Sequence, residues 1–133
     1  MVTVQVKDLS GIALDWAVAI CERLPVVEDP MGFRKDAPDT IQAGYWIWED
    51  GLHGRNELIG GNYSPSRLWM QGGEIIEREF ISLKSPEGDN KLWTGVISEG
   101  QISLEGNTGL IAAMRAFVYY KIGYEIDIPA NLA

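Results

Sequence analysis

Nucleophilic catalysis needs a base beside a serine or cysteine, and the chain holds one histidine, His53, and one cysteine, Cys21. His53 stands in Gly51-Leu52-His53-Gly54-Arg55, which reads as a solvated turn; contact with a ligand is the other reading. Cys21 lies in a run of small and apolar residues and reads as a buried thiol. One cysteine excludes an internal disulfide framework, and one cysteine with one histidine excludes a Cys/His zinc site. Glu49-Asp50 and Glu77-Arg78-Glu79 set acids side by side, but without a third ligand or a pocket such neighbours read as solvated. There is no P-loop, GxGxxG, HExxH or CxxC. These residues point away from an enzyme and require no metal or cofactor.

Binding chemistry has more to work with. Residues 58–73 hold no acid and one arginine, and residues 106–124 hold no acid, with Arg115 and Lys121. Two such windows in a chain of 11 basic and 19 acidic residues, net charge −8, suit a locally positive pocket in a negative body. That body excludes long nucleic acid, which needs a basic footprint. In the first window, Tyr63-Ser64-Pro65-Ser66 offers two hydroxyls on a proline-stiffened turn, and Gly72-Gly73 permits the positive φ that aims successive amides at an anion. Trp69 and Gln71 could stack on a ring and bond its edge, with Arg67 nearby. A rigid turn with a tryptophan packed beneath it uses the same residues. Arg115 borders an apolar helix stripe, so it pairs with a buried carboxylate, Asp15 first, or reaches an anionic ligand.

The elements that position these groups follow from periodicity. Val2, Val4 and Val6 alternate with polar residues as in a half-buried strand. Asp8 or Ser10 caps a helix running from about residue 10 to 24, apolar nearly all round, with Asp15 and Glu22 on its polar side. Residues 28–40, with Pro30, Pro38 and scattered charge, read as an exposed loop. Tyr45-Trp46-Ile47-Trp48 is a strand whose Trp46 and Trp48 share one face while Tyr45 and Ile47 share the other. One pair is core; the second is core or a binding surface. A Gly-rich region spans 51–73. Strands follow at 80–84, 92–98 and 101–105, then a helix over about 108–122 capped by Asn107 or Thr108 and closed by Gly123, then a strand at 124–128. The expectation is one α+β domain over 1–133, a mainly antiparallel sheet of five to six short strands with two principal helices. No stretch approaches the roughly 18 apolar residues that span a bilayer, and Met1–Asp8 has no secretory pattern.

Leu14-Asp15-Trp16-Ala17-Val18-Ala19, Gly44-Tyr45-Trp46-Ile47-Trp48-Glu49-Asp50-Gly51 and Tyr63-Ser64-Pro65-Ser66 with Trp69 and Gln71-Gly72-Gly73 resemble a family. So do Ile75-Ile76-Glu77-Arg78-Glu79, Leu110-Ile111-Ala112-Ala113-Met114-Arg115 and the ending Ile126-Asp127-Ile128-Pro129. Together they resemble the NinX-like proteins of lambdoid phages and prophages over nearly the whole chain. The chain departs from that pattern at Arg67-Leu68, where the family usually has Thr-Asp, and at Glu74, where it often has proline. The resemblance implies an accessory protein in the cytoplasm of an infected bacterium and carries no reaction.

Two functions are expected from this reading. In the first, the chain sequesters an anionic nucleotide-like molecule as a sponge for a host-defence signal. Trp46, Trp48 and Trp69 would hold its base, and Tyr63, Ser64, Ser66, Arg67, Gln71, Arg78 and Arg115 the rest. In the second, an acidic surface docks on a host enzyme or nucleic-acid-binding complex and inhibits it. Thirteen aromatics in so short a chain also suit a homo-oligomer, and neither reading uses a membrane.

Overall fold

The apolar stretch from Leu110 to Val118 becomes the central helix. In the computed structural model, which describes residues 1–29, 44–49, 54 and 56–133, α3 (Gly109–Ile122) buries Leu110, Ala112, Ala113, Met114, Ala116, Phe117 and Val118. Thr108 caps it, its hydroxyl accepting from the Ile111 N–H at 3.1 Å, and Gly123 closes it at φ +115°. Against one flank packs α1 (Gly11–Cys21). Ser10 holds the N-cap position of α1, but its side chain makes no capping bond. The first helix ends at Cys21, before the expected 24, because Arg23 turns left-handed (φ +58°), with Arg23 N–H bonded to Ile20 O and Leu24 N–H to Ala19 O.

The architecture is α+β, with the expected antiparallel pairing distributed over three small sheets instead of one. β1 (Val2–Gln5) pairs with β8 (Glu125–Ile128), joining the two ends of the chain. The second sheet orders β2 (Val26–Asp29), β3 (Gly44–Trp48) and β4 (Asn56–Leu58). The third orders β5 (Ser82–Lys84), β6 (Trp93–Ile97) and β7 (Ile102–Gly106), and α3 lies across it. That makes eight strands and three α-helices among the described residues, against the five or six and two expected. The extra strands are β2 and β4. Val26-Val27 after Pro25 is a strand signal, and it moves Glu28 and Asp29 out of the expected loop and into the pairing with β3. The rest of that loop lies outside the described residues.

The third helix, α2 (Trp69–Arg78), takes over the end of the expected Gly-rich region, residues 69–73, and runs on beyond it. Its glycines are helical and take no positive φ. Gly72 is there because the helix passes over the preceding loop: a Cβ would sit 2.3 Å from the Pro65 carbonyl oxygen and 2.5 Å from Leu110 Cδ2. The helix ends as α1 does, with Phe80 left-handed at φ +55° and Ile81 N–H bonded to Ile76 O. Ile81 is buried below, while Phe80 stands 88% exposed.

Candidate functional site

The loop from Leu58 to Leu68 carries most of the expected ligand groups, and it spends them on itself. Ser64 and Ser66 are buried. Ser64 Oγ donates to Gly61 O at 2.8 Å, and the Ser64 N–H donates to Gln71 Oε1 at 2.6 Å. Gln71 Nε2 returns to Asn62 O at 2.7 Å, so this side chain clips α2 to the loop. Arg67 donates to Gly60 O and to Ser64 Oγ, at 3.2 and 3.1 Å. The amides of Ser64, Ser66, Arg67 and Leu68 are all engaged within the protein, which leaves none of them for a ligand. A buried loop must pair its polar groups internally, and serines and glutamine do so here at short range.

Asp15 sits at the centre of this arrangement. It was expected on the polar side of α1, yet it is 1% exposed, and its Oδ1 accepts the Ser66 N–H at 2.9 Å. Burial pushes its carboxyl from 3.8 up to about 6, against the lowering pull of its bonds to the Ser66 backbone and side chain and of Arg67. Arg115 does not pair with it. The Arg115 Nε donates to Leu9 O and Nη1 to Glu105 O, both at 2.7 Å, which ties the start of α1 and β7 to α3. Burial lowers its guanidinium below the usual value, with Asp8 opposing. Arg115→Met is therefore expected to lower stability by about 2–3 kcal/mol in urea denaturation, since two charge-assisted bonds disappear. An arginine held in reserve for a ligand would be lost at no cost.

The remaining site residues divide between two places. On β3, Tyr45 and Ile47 are the buried pair, as one of the two expected arrangements has it, while Trp46 and Trp48 are half-buried and meet edge to face at 6.3 Å. Tyr63, Gln71 and Arg78 line a groove of about 300 Å³ shared with Glu22, Glu57 and Glu74. Arg78 pairs with Glu22 at 2.5 Å and Glu79 at 3.0 Å and stands over the Phe117 ring. Neither a tryptophan nor Arg115 lines this groove. Cys21 is half-buried, and burial pushes its thiol up to about 12, with Glu22 adding to the rise, so it stays protonated at neutral pH. His53 lies outside the described residues. Among the described residues no three His, Cys, Asp or Glu side chains are grouped to hold a metal, and no helix is long and apolar enough to cross a membrane.

What sequence reasoning missed is the outer face of α2. Leu68, Trp69 and Met70 are 40%, 60% and 86% exposed, in consecutive positions. The edge of the Trp69 ring approaches Gly109, as do Trp93 and Leu83, so one side of the ring rests against the buried start of α3. The signal was available: adjacent large side chains at the start of a helix, Trp69 and Met70 here, point about 100° apart and cannot both face the core. It needed only the recognition that residues 69–78 are helical.

A family model described as bacteriophage P22 NinX matches residues 5–121. The chain belongs to the NinX family. No curated protein matches it significantly. The NinX match takes in α1, α2, the groove and the Leu68–Met70 patch, and stops one residue before the end of α3. Both positions where this NinX chain departs from the sequence pattern lie at the site. Arg67 braces the loop, and Glu74 lines the groove.

Proposed function

We propose that this NinX-family chain is an interaction module, which docks on a host protein in the cytoplasm of the infected bacterium and inhibits it without turnover of its own. The observation that carries this reading is the Leu68–Trp69–Met70 patch. Large apolar side chains lie consecutive and exposed at the N-cap and first turn of a helix whose approach is locked by the Gln71, Ser64 and Asp15 bonds. Ordinary surfaces scatter such residues singly, and buried tryptophans on rigid backbone dominate the energetics of protein interfaces. Sequestration of an anionic nucleotide-like molecule draws less support. The serine hydroxyls and loop amides are engaged internally, and Arg67, Arg78 and Arg115 are committed to carbonyls, a hydroxyl and carboxylates.

The test compares capture of host proteins from an infected lysate by the parent chain, Trp69→Ala and Met70→Glu. Both side chains are exposed, so thermal melting is expected to change little, while a specifically captured protein falls by about tenfold or more. Capture indifferent to both substitutions would sink the proposal. So would a thermal shift with a panel of cyclic oligonucleotides, ADP-ribose derivatives and common nucleotides. A ligand at 100 times its Kd adds about 2.7 kcal/mol, and the docking reading expects a flat panel.

A further inference from the structure

The three sheets have six outer strands, and five of them are guarded. An open edge invites another strand, which proteins discourage with charge, proline or very short strands. β8 carries Glu125 and Asp127, and β2 carries Glu28 and Asp29. β4 and β5 are three residues long and each holds a charge. β7 carries Glu105, whose carbonyl is occupied by Arg115 Nη1. β1, Val2-Thr3-Val4-Gln5, has neither charge nor proline. The Val6 N–H donates to Tyr124 O at 2.9 Å, and the register carries that phase back to Val4 opposite Ile126 and Val2 opposite Ile128. Alternate residues of an antiparallel ladder face away from the partner strand. Thr3 and Gln5 therefore turn their N–H and C=O groups outward, where nothing among the described residues bonds them. Val2 is 37% exposed at the same edge.

We infer that β1 pairs with β1 of a second copy of this chain, about a two-fold axis through Val4, to make one continuous β8–β1–β1–β8 sheet. In that register Thr3 of each copy lies opposite Gln5 of the other, and each such pair exchanges both main-chain bonds. Val4 meets Val4 at the axis, the closely spaced position of the ladder, where β-branched side chains pack well. Side chains keep their faces, with Val2 and Val4 towards the core and Thr3 and Gln5 towards solvent, whereas a slip by one residue would reverse them. The occupant is a second copy because the edge is complementary to itself: the opposed residues are uncharged and their alternation matches. Pairing through β8 would instead set carboxylates against carboxylates, Glu125 opposite Asp127. The net charge of −8 on each copy resists approach through the other, charged edges. A short edge buries little area, so the dimer is weak and depends on concentration. It makes no use of Leu68, Trp69 or Met70, so it stands or falls apart from the docking reading above.

The experiment is sedimentation velocity on the full, tag-free chain, over about a hundredfold range of concentration reaching about 1 mM. The parent is expected to move from monomer towards dimer as concentration rises, and added salt should favour the dimer by screening the charge of −8 on each copy. Gln5→Pro is the variant suited to this edge. Gln5 has φ −80° and ψ 134°, close to the geometry that proline fixes, and the N–H it would lose has no partner within the chain. Its melting curve at low concentration should therefore change little, while dimer formation weakens by about tenfold or more. Hydrogen exchange on the parent needs no variant. Protection of the Thr3 and Gln5 amides should rise with concentration, while that of Glu125 and Asp127 on the far edge stays constant. Should Gln5→Pro fail to fold, this exchange pattern decides alone. A parent that stays monomeric at every concentration would overturn the inference, and a foreign strand would then be the edge's only possible occupant. Protection that appears at β8 in place of β1 would overturn it too, as would self-association that survives Gln5→Pro and is lost in Trp69→Ala, which moves the contact to α2.

Discussion

Gly95→Ala is expected to destabilise the chain by about 3 kcal/mol, with a fall in Tm on the order of 10 °C. Gly95 lies in the middle of β6, directly beneath α3. A Cβ there would stand 2.6 Å from the Ala112 carbonyl oxygen, 2.8 Å from its carbon and 2.9 Å from the Ala113 nitrogen. All three are backbone atoms of a buried helix turn, so no side-chain rotation relieves the clash and the helix must lift from the sheet. Core overpacking usually costs about 1–3 kcal/mol, and a rigid obstacle belongs at the upper end. Gly106 on β7 meets the same turn, with a Cβ 2.6 Å from the Ala112 nitrogen. The double variant should therefore lose less than the sum of the two singles, because one displacement of α3 relieves both. Removing the Ala112 side chain should not rescue Gly95→Ala, since that side chain is not the obstacle. Urea denaturation decides the matter: a loss below about 1 kcal/mol would mean that α3 does not rest this closely on the sheet.

The second large effect is electrostatic and depends on pH. Asp15 has a carboxyl pushed from 3.8 up to about 6 by burial, and its bonds to Ser66 recover only part of the cost. The folded chain therefore takes up this proton near pH 6, whereas the unfolded chain waits until about 3.8. Between those values the native state binds more protons, so this group's contribution to stability rises as pH falls from 6 towards 4, the reverse of an ion-paired aspartate. Above pH 6 the ionised group costs up to about 3 kcal/mol relative to its neutral form. Asp15→Asn keeps an oxygen to accept the Ser66 N–H and carries no charge. It is expected to stabilise the chain by about 1–3 kcal/mol at pH 8 and to have little effect at pH 4.5. Asp15→Ala leaves the Ser66 N–H buried without its acceptor and should lie well below Asp15→Asn at both values. Denaturation of parent and Asp15→Asn at the two pH values measures the difference directly, and parallel behaviour would sink the argument.

Asp15 also shows where sequence reasoning stops. Its neighbours in α1 are apolar on almost every face, so nothing local tells whether the one carboxylate among them points to water or to a partner. The partner is Ser66, 51 residues away, and it donates a backbone N–H, a group that every residue except proline carries. The same holds for Arg115. Its place at the border of the stripe told that it would be engaged, while the choice of Leu9 O and Glu105 O over Asp15 belongs to the packing of α3 against α1 and β7.

The glycines divide along the same line. Gly123 could be placed from sequence because a left-handed residue after a long apolar helix is a local demand. Gly72 was read as a turn residue, since a doubled glycine usually marks backbone freedom. Its actual role is to let α2 cross the Pro65 carbonyl, a matter of distance between segments. That one misreading hid the helix and, with it, the exposed Leu68–Trp69–Met70 face.

By itself, then, the sequence determined the features that local interactions dictate. These are the α+β class with antiparallel strands, the capped α3 and the alternation on β3 that sets Tyr45 and Ile47 on one face and Trp46 and Trp48 on the other. The NinX resemblance was legible too, because it rests on the residues alone. Only the tertiary structure decided which polar groups face each other and which apolar groups are left over. It closed the serine loop on Gln71 and Asp15, divided the sheet into three, and set an acidic groove beside an uncovered tryptophan. The physical reason is that periodicity reports whether a side chain has a buried side, while hydrogen-bond partners and leftover surface depend on distances between segments far apart in the chain.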